Sequence, residues 1–133
     1  MLGRILILVL VLFCGVTPLS YANTDDVFRL RLYFGMSLPE GGAVSLAEWE
    51  SFQNEQITKY FDGFNVVDSV GYYKGQPERS KIVTVIVTEQ EVTKAKELAS
   101  IYAKTFKQDS VMMVKVPVLE WDFIEATSLE PEK

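Results

Sequence analysis

Lys81-Ile82-Val83-Thr84-Val85-Ile86-Val87 runs directly into Thr88-Glu89-Gln90-Glu91. In an extended chain Ile82 and Ile86 fall on one side, and Val83, Val85 and Val87 on the other. A strand that is apolar on both sides belongs in the middle of a sheet, with cover on both faces. Thr88 and Glu91 then have the spacing of a capping box. The hydroxyl accepts from an orphan N–H, and the carboxylate accepts from the cap's own N–H. One stretch therefore predicts a central strand followed at once by a helix. Val92, Ala95, Ala99, Tyr102 and Phe106 give that helix a packing face, and Gln108-Asp109 closes it.

Upstream, Lys74 to Arg79, with Gly75 and Pro77, reads as a hairpin loop behind a strand from Phe64 to Tyr73. Before it, Ser45 and Glu48 form another capping box. Leu46, Trp49, Phe52, Ile57 and Tyr60 share one arc of the helix that follows, which Asp62-Gly63 ends. Gly35 to Gly42 is a loop. Val27 to Phe34 alternates strictly, with Phe28, Leu30, Leu32 and Phe34 on one side and Arg29, Arg31 and Tyr33 on the other. Downstream, Val111 to Leu119 is a fourth strand, and Pro117 marks it as an edge.

The order β-α-β-β-α-β predicts an α+β, ferredoxin-like fold. Its four-stranded antiparallel sheet carries two helices on one face, with the first and third strands central. The other face stays open. Arg29, Arg31 and Tyr33 line it, and Lys81 is placed on or near it.

The N-terminus has a separate logic. Arg4, the apolar run Ile5 to Val16, Pro18 and the small residues of Ser20-Tyr21-Ala22 make residues 1–22 a signal peptide, with cleavage between Ala22 and Asn23. The expected location is the periplasm or the exterior. Twelve apolar residues are short for a span, which needs about 20, so a retained membrane anchor is the lesser alternative. A lipid on Cys14 is disfavoured by the bulky Phe13 before it. Cleavage leaves 12 basic against 18 acidic groups, which argues against nucleic acid and anionic membrane surfaces as partners. Residues 23–124 read as one α+β domain and residues 125–133 as an acidic flexible tail.

The chain has no histidine, and its one cysteine lies in the signal segment. Ser/His/Asp and Cys/His catalysis and His- or Cys-ligated metals are therefore excluded from the mature part. No calcium loop and no phosphate loop is present, so no metal and no cofactor is expected. Three features remain. Arg29, Arg31 and Lys81 either pair with Glu78 and Asp68 or hold an anion. Asp68 shares a side with Val70 and Tyr72, so it either rotates out through a bulge or is buried beside an arginine. Tyr33, Tyr72, Tyr73 and Trp121 are an aromatic set that either stacks on bases or sugars, with nucleic acid disfavoured by the acidic charge, or makes a core or dimer contact, the preferred reading.

The chain also resembles a bacterial secreted family of uncharacterised function. The likeness is carried by Leu32-Tyr33-Phe34-Gly35-Met36-Ser37, Gly41-Gly42-Ala43-Val44-Ser45, Glu48-Trp49 and Phe52. It continues through Ile57-Thr58, Phe61-Asp62-Gly63-Phe64, Asp68, Gly71-Tyr72-Tyr73 and Glu78-Arg79-Ser80-Lys81. It covers nearly all of Leu30 to Val114. Thr58-Lys59 departs from the family's Thr-Pro, and Leu119-Glu120-Trp121 stands where members often carry a cysteine. The resemblance implies an exported α+β domain and no known reaction. It implies a shared site around Tyr33, Gly35, Ser37, Glu78, Ser80 and Lys81.

The expected function is an exported binding or interaction module, with a homodimer or protein partner on the open face or a small anionic ligand. Its candidate residues are Arg29, Arg31, Tyr33, Ser37, Asp68, Tyr73, Glu78, Ser80 and Lys81. The alternative is an enzyme working without metal or histidine, through carboxylate, lysine and tyrosine groups.

Overall fold

The computed structural model describes residues 26–126. The signal segment, its cleavage site and most of the acidic tail lie outside the described residues. Strand β1 (Val27–Gly35) leads through a loop to α1 (Leu46–Phe52), a π-turn (Gln53–Ile57) and α2 (Thr58–Tyr60). Then come β2 (Asn65–Tyr73), β3 (Gln76–Thr88), α3 (Glu89–Thr105) and β4 (Met112–Pro117). The sheet is antiparallel in the order β2-β3-β1-β4, so the first and third strands are central and β4 is an edge. This is the expected α+β arrangement.

Both helix starts are built as the spacing predicts. The Glu48 carboxylate accepts from the Ser45 N–H at 2.8 Å, and the Glu48 N–H donates to the Ser45 hydroxyl at 3.2 Å. At the second helix the Glu91 carboxylate accepts from the Thr88 N–H at 2.9 Å. The core lies between sheet and helices. Leu30, Leu32, Phe34, Val83, Val85 and Val87 from the sheet meet Trp49, Phe52, Ile57, Val92, Ala95, Leu98 and Tyr102. Phe34 and Tyr102 centre an aromatic cluster, their rings 4.7 Å apart, and the Tyr102 hydroxyl donates to the Gly35 carbonyl at 2.6 Å.

Several expectations change in detail. Five residues separate Phe52 from Ile57, which an α-helix would turn away from each other. The chain inserts a π-turn, with the Thr58 N–H reaching the Gln53 carbonyl, and both side chains stay buried. Leu46 is 64% exposed rather than part of the packing face. It opens the helix before the sheet's cover begins. Leu98, absent from the expected face, is fully buried.

The predicted loop at Lys74 to Arg79 is only a two-residue turn. Lys74 (φ 48°) and Gly75 (φ 77°) both take the left-handed conformation that a tight hairpin requires. Gln76 to Arg79 belong to β3, paired with β2 as far as Tyr73↔Gln76. Pro77 is tolerated because β1 ends opposite Ser80 and the last bond across, from the Met36 N–H, reaches the Arg79 carbonyl at 3.0 Å, short of Pro77. The result is an exposed two-stranded arm, Val70 to Arg79, that extends past the body of the sheet.

Candidate functional site

The register sorts the candidate residues onto two sides of the sheet. Arg29, Arg31 and Tyr33 pair with Ile86, Thr84 and Ile82 on β3, and with Val116, Val114 and Met112 on β4. Their neighbours in sequence, Leu30, Leu32 and Phe34, are buried under the helices, so this row faces the opposite way. The open face is therefore as expected for these three. On β3 the same row continues through Ser80 and Glu78 to Gln76, which is opposite Tyr73. Arg29, Arg31, Tyr33, Tyr73, Glu78 and Ser80 thus share one surface. Arg29, Arg31 and Glu78 have no ion-pair partner among the described residues.

Lys81 is the correction. It stands opposite Phe34 and alternates with Val83, so it belongs to the helix-covered side. Its neighbour across the ladder is Asp68, and the two form an ion pair at 2.5 Å. Asp68 is in solvent, as the first alternative expects, but not through a bulge, and it is not buried beside an arginine. The β2-β3 pairing runs without a bulge from Asn65 to Tyr73, yet the Asp68 side chain is 81% exposed because β2 is an edge strand beyond the helical cover. Its partner is a lysine, not an arginine. The Lys81 hydrogen bond and charge, with a smaller contribution from the Arg79 charge, hold the Asp68 carboxyl below its ordinary range.

A cleft of about 320 Å³ opens beside this pair, lined by Met36, Val44, Leu46, Val70, Arg79 and Lys81. Arg79 was missed in the sequence, although it alternates with Lys81 and so shares its side. Ser37 joins neither group. It bridges to Ala43 in the loop, and its carbonyl accepts from Gln108 Nε2 at 2.8 Å.

The aromatic set is dispersed. Tyr33 and Tyr73 are on the open face and Tyr72 on the reverse of the arm. Trp121 packs against Phe123, ring centroids 5.7 Å apart, in the segment after β4. That segment walls a larger hollow of about 730 Å³, where β2 stops opposite Thr84 while β3 continues to Thr88. The hollow holds none of the candidate site residues. Among the described residues no group of three His, Cys, Asp or Glu side chains is placed to hold a metal. No described helix is long and apolar enough to cross a membrane.

Residues 29–121 match the family described as "Protein of unknown function (DUF3574)", and the chain belongs to that family. No curated protein matches. Among solved structures, the chain is similar to a phage SAM lyase in complex with S-methyl-5'-thioadenosine. The TM-score is 0.51 at 16% identity, covering 74% of this chain and 94% of that one. A phage SAM lyase in its apo state gives 0.46 at 14% identity, with the same coverage. At these identities the likeness describes the fold.

Proposed function

We propose that this chain is an exported interaction module that works as a homodimer, two copies stacking by their open sheet faces. The observation behind this reading is the layout of that face. Tyr33, Ile82, Val67 and Met112 form an apolar middle row. Arg29 and Arg31 lie towards one end, and Glu78, with Tyr73, lies on the arm at the other; none of these charges has an ion-pair partner among the described residues.

A two-fold interface must be self-complementary, each residue meeting the partner's counterpart of its contact. A two-fold axis at the level of Lys81, strands reversed, puts the Thr84 row over the partner's Glu78 row. Arg31 on β1 then lies one strand over from the partner's Glu78 on β3, within reach of its long side chain. Both ends gain an opposite-charge contact around an apolar centre. From the Ile86 row to the Gln76 row the surface runs about 34 Å at ~3.4 Å per residue. A standard interface of about 800 Å² per partner is of this scale. The arm also acquires a purpose, since its exposed Tyr73 lies on the partner's sheet.

Light scattering on residues 23–133 tests this directly. The expected mass is twice that of the monomer at micromolar concentration. Ile86→Asp, on the open face, is expected to give a monomer with an unchanged helical signal. A wild-type chain that stays monomeric at high micromolar concentration contradicts the proposal.

A further inference from the structure

The cleft on the opposite side of the sheet holds chemistry that a dimer of the open faces does not use. We propose that it is a binding site for a small organic carboxylate with a short aliphatic body, the carboxylate taken up by Lys81 and Arg79.

Lys81 is unusual among the chain's cations. Its side chain is only 16% exposed, and its ammonium lies 6.0 Å from the centre of the Trp49 ring, itself buried. An ammonium has three donors, and Asp68 takes one. The rest are held at the cleft rather than spread into bulk water. Arg79, two residues earlier on the same side of β3, lines the same cleft and forms no ion pair among the described residues. Among the described residues two cations and one carboxylate line the cleft, an excess of one positive charge. A monoanion balances it, and a guanidinium beside an ammonium suits the two oxygens of a carboxylate.

The walls select what the anion is attached to. Leu46 and Val70, 64% and 58% exposed, line the cleft together with Met36, Ala43 and Val44. An exposed leucine at a helix start and an exposed valine on an edge strand gain cover only when something apolar fills the space between them. A volume of about 320 Å³ is at the small end for ligand sites, which limits the body to a few carbons. Asp68 lies at the solvent side of the cleft, its side chain 81% exposed while it pairs with Lys81.

The test titrates residues 23–133 with sodium hexanoate, and in parallel with inorganic phosphate and hexanol. The readouts are the fluorescence of Trp49, in a Trp121→Phe background, and the amide shifts of Lys81 and Leu46. The proposal expects saturation by hexanoate at millimolar concentration and no saturation by hexanol. Lys81→Gln should weaken hexanoate at least ten-fold, and Arg79→Gln several-fold. Lys96→Gln, exposed on α3 and remote from the cleft lining, should leave it unchanged. Should Lys81→Gln fail to fold, Leu46→Asp at an exposed position serves instead, and it too should weaken hexanoate about ten-fold. Unsaturated shifts, or hexanoate binding indifferent to Arg79→Gln and Leu46→Asp, overturn the site. Phosphate binding as tightly as hexanoate overturns its preference for a carboxylate with an apolar body. Because Ile86→Asp breaks the proposed dimer without touching the cleft, hexanoate binding in that variant separates the fate of this site from that of the dimer.

Discussion

The two sides of this sheet treat charge in opposite ways. Both ion pairs among the described residues belong to the covered side. Lys81–Asp68 is on the β2-β3 flank, and Lys115–Glu89 is on the β4 flank, Lys115 standing opposite the buried Leu30. On the open side Arg29, Arg31 and Glu78 have no ion-pair partner among the described residues, while Ile86, Val67, Met112, Val114 and Val116 are exposed. A side built for stability pairs its rim charges over an apolar core. A side with unpaired charges around an apolar middle is one whose complement comes from another molecule.

The difference is broken most severely from within the core. Trp49→Ala removes a ring packed against Phe34, Phe52 and Tyr102 and is expected to cost about 3–5 kcal/mol in denaturant unfolding. Val114→Ala on the open face of the monomer should stay within about 0.5 kcal/mol. Equal losses at both positions would erase the contrast. Tyr102→Phe comes next. It leaves the Gly35 carbonyl without its donor, and about 1–3 kcal/mol should be lost. Burial raises the Tyr102 phenol well above its ordinary value. Its contribution is therefore complete below about pH 10 and declines as the pH rises further, so the two proteins should converge only in strong alkali.

A smaller effect is expected at the first helix. Ser45→Ala should cost about 1 kcal/mol through the lost cap. The smallest sharpens the covered rim. The Asp68 carboxyl is held below its ordinary range, so the pair's contribution is present above about pH 4 and lost as the pH falls through the depressed value. Unfolding of wild type and Asp68→Asn followed against pH should show a small constant gap above pH 5 that closes in acid. A gap that widens in acid would mean the sign is wrong.

How much of this was legible in the sequence depended on pattern type. Strict alternation in Val27 to Phe34 fixed both faces of β1, because one row is apolar and the other is not. The two capping boxes marked both helix starts for similar reasons, since their hydrogen bonds are local. β3 was harder. With Ile82 and Ile86 on one side and Val83, Val85 and Val87 on the other, composition does not say which row meets the helices. Only its pairing with β1 decides, and that contact is not local. Lys81 was misplaced for this reason, although its parity with Val83 carried the signal. The arm was hidden because Gly75 and Pro77 look like a loop, while Lys74-Gly75 alone makes the turn. The cleft joins a loop, an edge strand and a helix start, an assembly no single segment encodes.

The pairing of Arg31 with Glu78 across two copies is the central claim, and a charge exchange tests it. Sedimentation equilibrium on residues 23–133 should give a dimer for wild type. Arg31→Glu and Glu78→Arg should each weaken it at least ten-fold, and the double variant should restore it. A double variant as weak as either single one, with its fold intact, contradicts the stacked sheet faces.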